Sequence, residues 1–239
     1  MTRLVTAICA AVVALTGLAR PAEANPVVVE LFTSQGCSSC PPAEELLGRI
    51  ADRDEVLALS LHVDYWDYLG WKDEYALKDC TRRQRGYARA AGRNMVYTPQ
   101  MIVNGREALT GTDTMELAEL IMKYQHPGRD AAQVEVVARR TGNALSVEVA
   151  PREGAAGKRA DLVVQLVQYV PRASADITKG ENAGRRTNHY NVVRDWRVLG
   201  RWDGTAPLRL EADLTDGLRA AVIVQQTDYG PIVAAARAD

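Results

Sequence analysis

Val27-Val28-Val29-Glu30-Leu31-Phe32-Thr33-Ser34-Gln35-Gly36-Cys37-Ser38-Ser39-Cys40-Pro41-Pro42 is the stretch on which the fold reading turns. Pro26 to Phe32 is rich in β-branched residues and reads as a strand. Ala43, Leu46, Leu47 and Ile50 then recur at helical spacing, and prolines are tolerated in a first helical turn, where N–H groups have no intrahelical partner. Two cysteines therefore stand where a strand turns into a helix. At that place backbone N–H groups and the helix dipole favour a Cys37 thiolate, the nucleophile of disulfide exchange. Cys40, one turn further in, can close the disulfide or resolve a mixed one. Ser38 and Ser39 carry no charge and offer the sulfur only hydrogen bonds, so the expected lowering of the thiol pKa is moderate.

Working outward, Val56 to Val63 suits a buried parallel strand and completes a β-α-β unit. Tyr65, Trp66, Tyr68 and Trp71 crowd the next loop, and Asp73 to Ala91 reads as an inserted helix with Arg82, Arg83, Arg85 and Arg89 on its polar side. Val96 to Val103 is extended and interrupted at Pro99, and Asn104-Gly105 signals a hairpin whose return strand is Arg106 to Leu109. Thr112 or Asp113 can cap a last helix through Tyr124, with Glu116 placed for a capping box. His126 to Asp130 reads as a linker. Period-two runs follow at Gln133–Arg139, Ala144–Ala150, Asp161–Val170, Leu218–Thr227 and Ile232–Ala236, a pattern of antiparallel strands. Lys179 to Arg186, with His189 and Asn191, reads as a polar loop, either a solvated connection or a site for an anion or partner.

Arg3 and the apolar run Leu4–Leu18, followed by Ala22-Glu23-Ala24, have the form of a signal peptide cleaved after Ala24. The expected organisation is residues 1–24 as leader, 26–126 as an α/β domain and 130–239 as a β-rich, sandwich-like domain. The expected location is periplasmic or secreted, with no stable membrane span after cleavage. A formal net charge of -1 argues against a dedicated nucleic-acid binder, and 47% hydrophobic residues are enough for a core. Loss of Cys9 with the leader leaves Cys37, Cys40 and Cys80, an odd number, so Cys80 is expected to be a free thiol.

Val-Glu-Leu-Phe-Thr, Cys-Ser-Ser-Cys-Pro, Thr98-Pro99 before a strand, Asn104-Gly105 and a closing helix together resemble the thioredoxin superfamily. Glu30 to Pro42, Ser60 to Trp71, Tyr97 to Gly105 and His189 to Arg194 more closely resemble its exported group called domain of unknown function family 1223. The resemblance implies an α/β fold, a thioredoxin-like domain with an inserted helical segment followed by the β-rich domain. It also implies that Pro99 is a cis-proline beside the cysteines and that Thr98 docks a client chain. Glu30 occupies the place of a buried carboxylate that takes the proton of the resolving thiol Cys40, the alternative being a strand-end surface salt bridge.

The function expected is thiol-disulfide oxidoreduction on protein or small-molecule disulfides, with Cys37, Cys40, Pro99 and Glu30 as catalytic residues and Thr98, Ser38 and Ser39 meeting substrate. No cofactor is called for, and the partners are protein thiols, disulfides or a redox partner protein. Two alternatives stay open. One is a permanently closed structural disulfide in an adaptor. The other is a copper-binding protein in which the two thiolates hold Cu(I) with His62 as third ligand.

Overall fold

The computed structural model describes residues 25–125, 134–152 and 159–238. The expected leader, 1–24, and the linker, 126–130, lie outside the described residues. Strand β1 (Val27–Thr33) enters helix α1 (Pro41–Ile50) through the Cys37–Cys40 turn, and β2 (Val56–His62) returns parallel to β1. A short 3-10 turn (Asp67–Leu69) and helix α2 (Lys78–Ala90) lead to the hairpin β3 (Gln100–Val103) and β4 (Glu107–Thr110). At its tip Asn104 and Gly105 have φ of 48° and 63°, the left-handed values that Asn and Gly adopt most readily. Asp113 accepts a hydrogen bond from the Glu116 N–H and so caps α3 (Thr114–Gln125).

Seven further strands follow: β5 (Val134–Thr141), β6 (Ala144–Pro151), β7 (Leu162–Ile177), β8 (Arg185–Trp202), β9 (Leu208–Asp213), β10 (Arg219–Gln226) and β11 (Ile232–Ala238). Strands from both halves of the chain form one mixed sheet in the order β11-β10-β7-β8-β2-β1-β3-β4, while β5, β6 and β9 form a second, three-stranded sheet.

This overturns the expected fold class. The molecule is mostly β, with 46% of residues in strands and 19% in helices, and is not a thioredoxin-like α/β unit with inserted helices. The physical reason lies in β2 and β8. Every residue of β2 is buried, so its free edge needs cover, and β8 supplies it through a parallel bridge between Val192 and Ser60. β8 is 18 residues long and pairs with β7 from Leu162–Trp202 to Ile177–Arg185. The β2–β8 partnership joins residues more than a hundred positions apart, which local periodicity does not register.

The stretch expected to be a polar loop at Lys179–Asn191 is strand from Arg185 onward. Two of its polar residues, His189 and Asn191, are buried, whereas Arg185, Arg186 and Asn188 are exposed. Asn191, at φ 48°, donates from Nδ2 to the Ala58 and Ala51 carbonyls and so ties β8 to β2 and to the end of α1. The main sheet has a layer on each face. Val27, Val29, Leu31, Val56 and Ala58 pack under α1 and α3, while Val28, Phe32, Leu57, Leu59 and Leu61 pack with Cys80 and Tyr87 of α2.

Candidate functional site

Cys37 and Cys40 form a disulfide with Cα atoms 5.4 Å apart. Cys40 is the N-cap of α1, and Pro41 and Pro42 occupy the next two positions. The helix start offers the sulfurs little: the prolines have no N–H, and the Ala43 and Glu44 N–H groups both donate to the Cys40 carbonyl. The Ser39 hydroxyl is 3.4 Å from Cys37 Sγ. Ser38 and Ser39 are exposed, whereas Cys37 and Cys40 are only 2% and 1% exposed.

Three segments close around this turn. Asn182, on the loop between β7 and β8, donates from Nδ2 to the carbonyls of Gln35 at 2.9 Å and Cys37 at 3.0 Å. Trp66 lies against Gly36, where an added Cβ would stand 3.2 Å from its own, and its Nε1 donates to Thr98 Oγ1 at 2.8 Å. The Thr98–Pro99 peptide is cis, and Pro99 and Ala43 meet over Gly111, where an added Cβ would be 2.8 Å and 3.0 Å from their Cβ atoms. The structure thus gathers Cys37, Cys40, Ser38, Ser39, Thr98 and Pro99 at one end of the sheet.

Glu30 is not among them. It is fully buried between Val28 and Phe32 on the α2 face of β1, away from the α1 layer. There it accepts from Arg83 Nε at 2.5 Å, Arg83 Nη2 at 3.1 Å and the Tyr87 hydroxyl at 2.6 Å. Arg83 also donates to Gln225 of β10 and stacks 3.8 Å from the Trp196 ring centroid. Glu30 is one half of a buried ion pair with Arg83, not a strand-end surface salt bridge. Arg83, expected on a polar helix face, points inward. Cys80 is a buried free thiol, and burial pushes its pKa up.

A second cluster, on the α1 face, was not assembled from the sequence. His62 ends β2, Glu44 lies in the first turn of α1, and His189 comes from β8. The imidazole rings of His62 and His189 are 4.7 Å apart, and the Tyr75 ring stands against both. His62 Nδ1 is 2.7 Å from Asp73 Oδ2, which also accepts from the Gln35 N–H at 2.8 Å. Burial works against charge on both partners, but the charge of each and the bond between them prevail. The His62 pKa is raised and the Asp73 carboxyl is held below its ordinary range. Asp73 thereby joins the cysteine turn to the histidine cluster. A cavity of about 390 Å³ lies between them, lined by Cys40, Glu44, Asn182, Arg185, Arg186 and His189 among others.

His62 stood as a third ligand to cysteine-bound Cu(I), but its polar neighbours are Asp73 and Glu44. Asp64, two residues on, accepts a hydrogen bond from the Thr81 hydroxyl of α2. Glu44 left a trace in the sequence: it is the acidic member of an i, i+3 row with Leu47 on a helix face that is otherwise apolar. Asp73 and Asn182 left none, being loop residues whose role comes from what they reach.

A family model described as a protein of unknown function, DUF1223, matches residues 28–225. A crystal structure of a protein from Agrobacterium tumefaciens is similar at 34% identity and a TM-score of 0.76, covering 90% of this chain and 95% of that one. HBP35 of Porphyromonas gingivalis shares the fold at 15% identity and a TM-score of 0.61, covering 91% of this chain and 76% of that one. No curated protein matches this chain. Among the described residues no helix is long and apolar enough to cross a membrane.

Proposed function

We propose that this chain, which belongs to the DUF1223 family of proteins of unknown function, carries out thiol-disulfide exchange through Cys37 and Cys40 on the extracytoplasmic side. The observation that carries the reading is the disulfide itself, closed across a strand-to-helix turn, with Trp66 against the neighbouring Gly36 and bonded to Thr98. An exported location belongs to the same proposal, because disulfides persist in oxidising compartments.

In the exchange, a client thiolate attacks Cys37 Sγ, forming a client–Cys37 disulfide and releasing Cys40 as thiolate. A second client thiolate then attacks the client sulfur, so the client leaves as a disulfide. Both electrons and two protons end on the Cys37–Cys40 dithiol. Run backward, the same steps reduce a client disulfide, and the direction follows from the relative potentials. In this reading Pro99 presents no N–H to the client and Thr98 meets the client backbone. Ser39 is the hydroxyl available to the Cys37 thiolate.

A structural clasp is the second reading, favoured by the burial of both cysteines. Equilibration in glutathione buffers with mass-tagging of free thiols separates the two. A reversible two-electron transition at roughly -120 to -270 mV is expected, whereas a pair still oxidised below about -300 mV is a clasp. Asn182→Ala frees the cysteine turn from its cover, so reduction by dithiothreitol is expected to be several-fold faster than in the wild type. An unchanged rate would remove Asn182 as the gate.

A further inference from the structure

We propose that Glu44, His62 and His189 form a binding site for a divalent transition-metal ion, with Zn²⁺ as the matching probe. One ligand atom from each residue lies within 4.8 Å of the others, and the three residues are 4%, 0% and 2% exposed respectively. The independent sign of a missing ligand is which atoms lack partners. His62 Nε2, His189 Nδ1 and Glu44 Oε2 are buried without a hydrogen bond, although such groups are ordinarily satisfied. His62 Nε2 is 3.6 Å from Glu44 Oε1 and His189 Nδ1 is 3.2 Å from it, neither making a hydrogen bond to it. Two ligands bound tetrahedrally to Zn²⁺ at 2.0–2.1 Å stand about 3.4 Å apart, close to the separation of Glu44 Oε1 from each of the two ring nitrogens.

The opposite nitrogen of each ring is held. His62 Nδ1 meets Asp73 Oδ2 at 2.7 Å, and His189 Nε2 meets Thr187 Oγ1 at 2.9 Å. This is the support that metal-bound histidines use: a carboxylate or hydroxyl takes the far N–H, fixes the tautomer and leaves the near lone pair for the ion. Glu44 Oε1 accepts from Ser60 Oγ at 3.1 Å, which steadies the carboxylate while Oε2 remains free. Two imidazoles and one carboxylate favour Zn²⁺ and related ions over Mg²⁺ or Ca²⁺, which prefer all-oxygen sites. Three protein ligands leave a fourth position, and Glu44 and His189 both line the cavity of about 390 Å³ that also reaches Cys40, Arg185 and Arg186. A water or a small anion would complete the coordination there.

The site does not rest on the exchange reading, since no cysteine sulfur is a ligand. The test uses the purified protein after chelator treatment, titrated with Zn²⁺ by calorimetry and with Co²⁺ by visible absorption. One ion per chain is expected, with a melting temperature that rises with Zn²⁺ and a Co²⁺ spectrum of low coordination number. Glu44→Gln, which keeps the side-chain volume and the acceptor for Ser60, and His189→Ala are each expected to weaken Zn²⁺ at least about 100-fold. Asp73→Asn, acting through His62, is expected to weaken it about 10–100-fold. The Cys37→Ser/Cys40→Ser double variant is expected to bind as the wild type does. Absence of stoichiometric binding by the folded wild type overturns the site. So does binding that survives both Glu44→Gln and His189→Ala, or that disappears with the cysteines alone. A metal-free melt of each variant separates lost ligands from lost folding.

Discussion

Two buried polar clusters sit on opposite faces of the same sheet, and they differ in how completely they are satisfied. On the α2 face, Glu30, Arg83, Tyr87 and Gln225 exchange hydrogen bonds until none of their side-chain polar atoms is left among the buried unpartnered ones. On the α1 face, Glu44, His62 and His189 leave one atom each unpartnered, and a ligand atom of each residue lies within 4.8 Å of the others. The first arrangement is complete without a ligand and holds α2 and β10 to β1. The second is incomplete as it stands and adjoins a cavity, which is the character of a site.

The largest test of this contrast is Arg83→Met. Removing one partner of a buried ion pair leaves Glu30 charged in an apolar layer, at a cost of about 3–5 kcal/mol. Urea unfolding should show that loss, and a change below about 1 kcal/mol would break the view of this cluster as structural. Glu44→Gln is the matching change on the other face. Its orphaned oxygen contributes no hydrogen bond, so metal-free stability should shift by less than about 1 kcal/mol. A loss as large as that of Arg83→Met would mean that the α1 cluster is structural too.

The smallest effect concerns Cys80. Burial raises its pKa, so at pH 8 the thiolate needed for alkylation is almost absent. Iodoacetamide should leave Cys80 unmodified in the native protein and modify it fully in urea, read by intact mass. The sign follows from the direction of the shift: a raised thiol pKa means less thiolate at any given pH. Rapid native labelling would show that the α2 layer opens, and would undercut the comparison from the satisfied side.

The two clusters were also unequally legible. The place of Glu30 on β1 marks it in the sequence, but its partner Arg83 is 53 residues away on a helix whose arginines look alike. Only packing distinguishes Arg83, which is buried, from Arg82 and Arg85, which are exposed. In the sequence His62 is a strand-end histidine and His189 belongs to a polar stretch. Neither suggests the other, because β8 meets β2 only in the folded chain, through the bridge between Val192 and Ser60 and the Asn191 bond to Ala58.

Sequence by itself determined the local elements around the cysteines: a strand, a turn with a Cys-Ser-Ser-Cys pair, a helix opened by two prolines, and a hairpin at Asn104-Gly105. Those follow from dihedral preferences and from periodicities of a few residues, which act within one segment. Tertiary structure alone decided that both halves share one mixed sheet, that Glu30 faces away from the cysteines, and that Glu44, His62 and His189 converge. Convergence of that kind depends on strand order and on which face each side chain occupies. A long strand such as β8 settles both at once by where its backbone hydrogen bonds find partners.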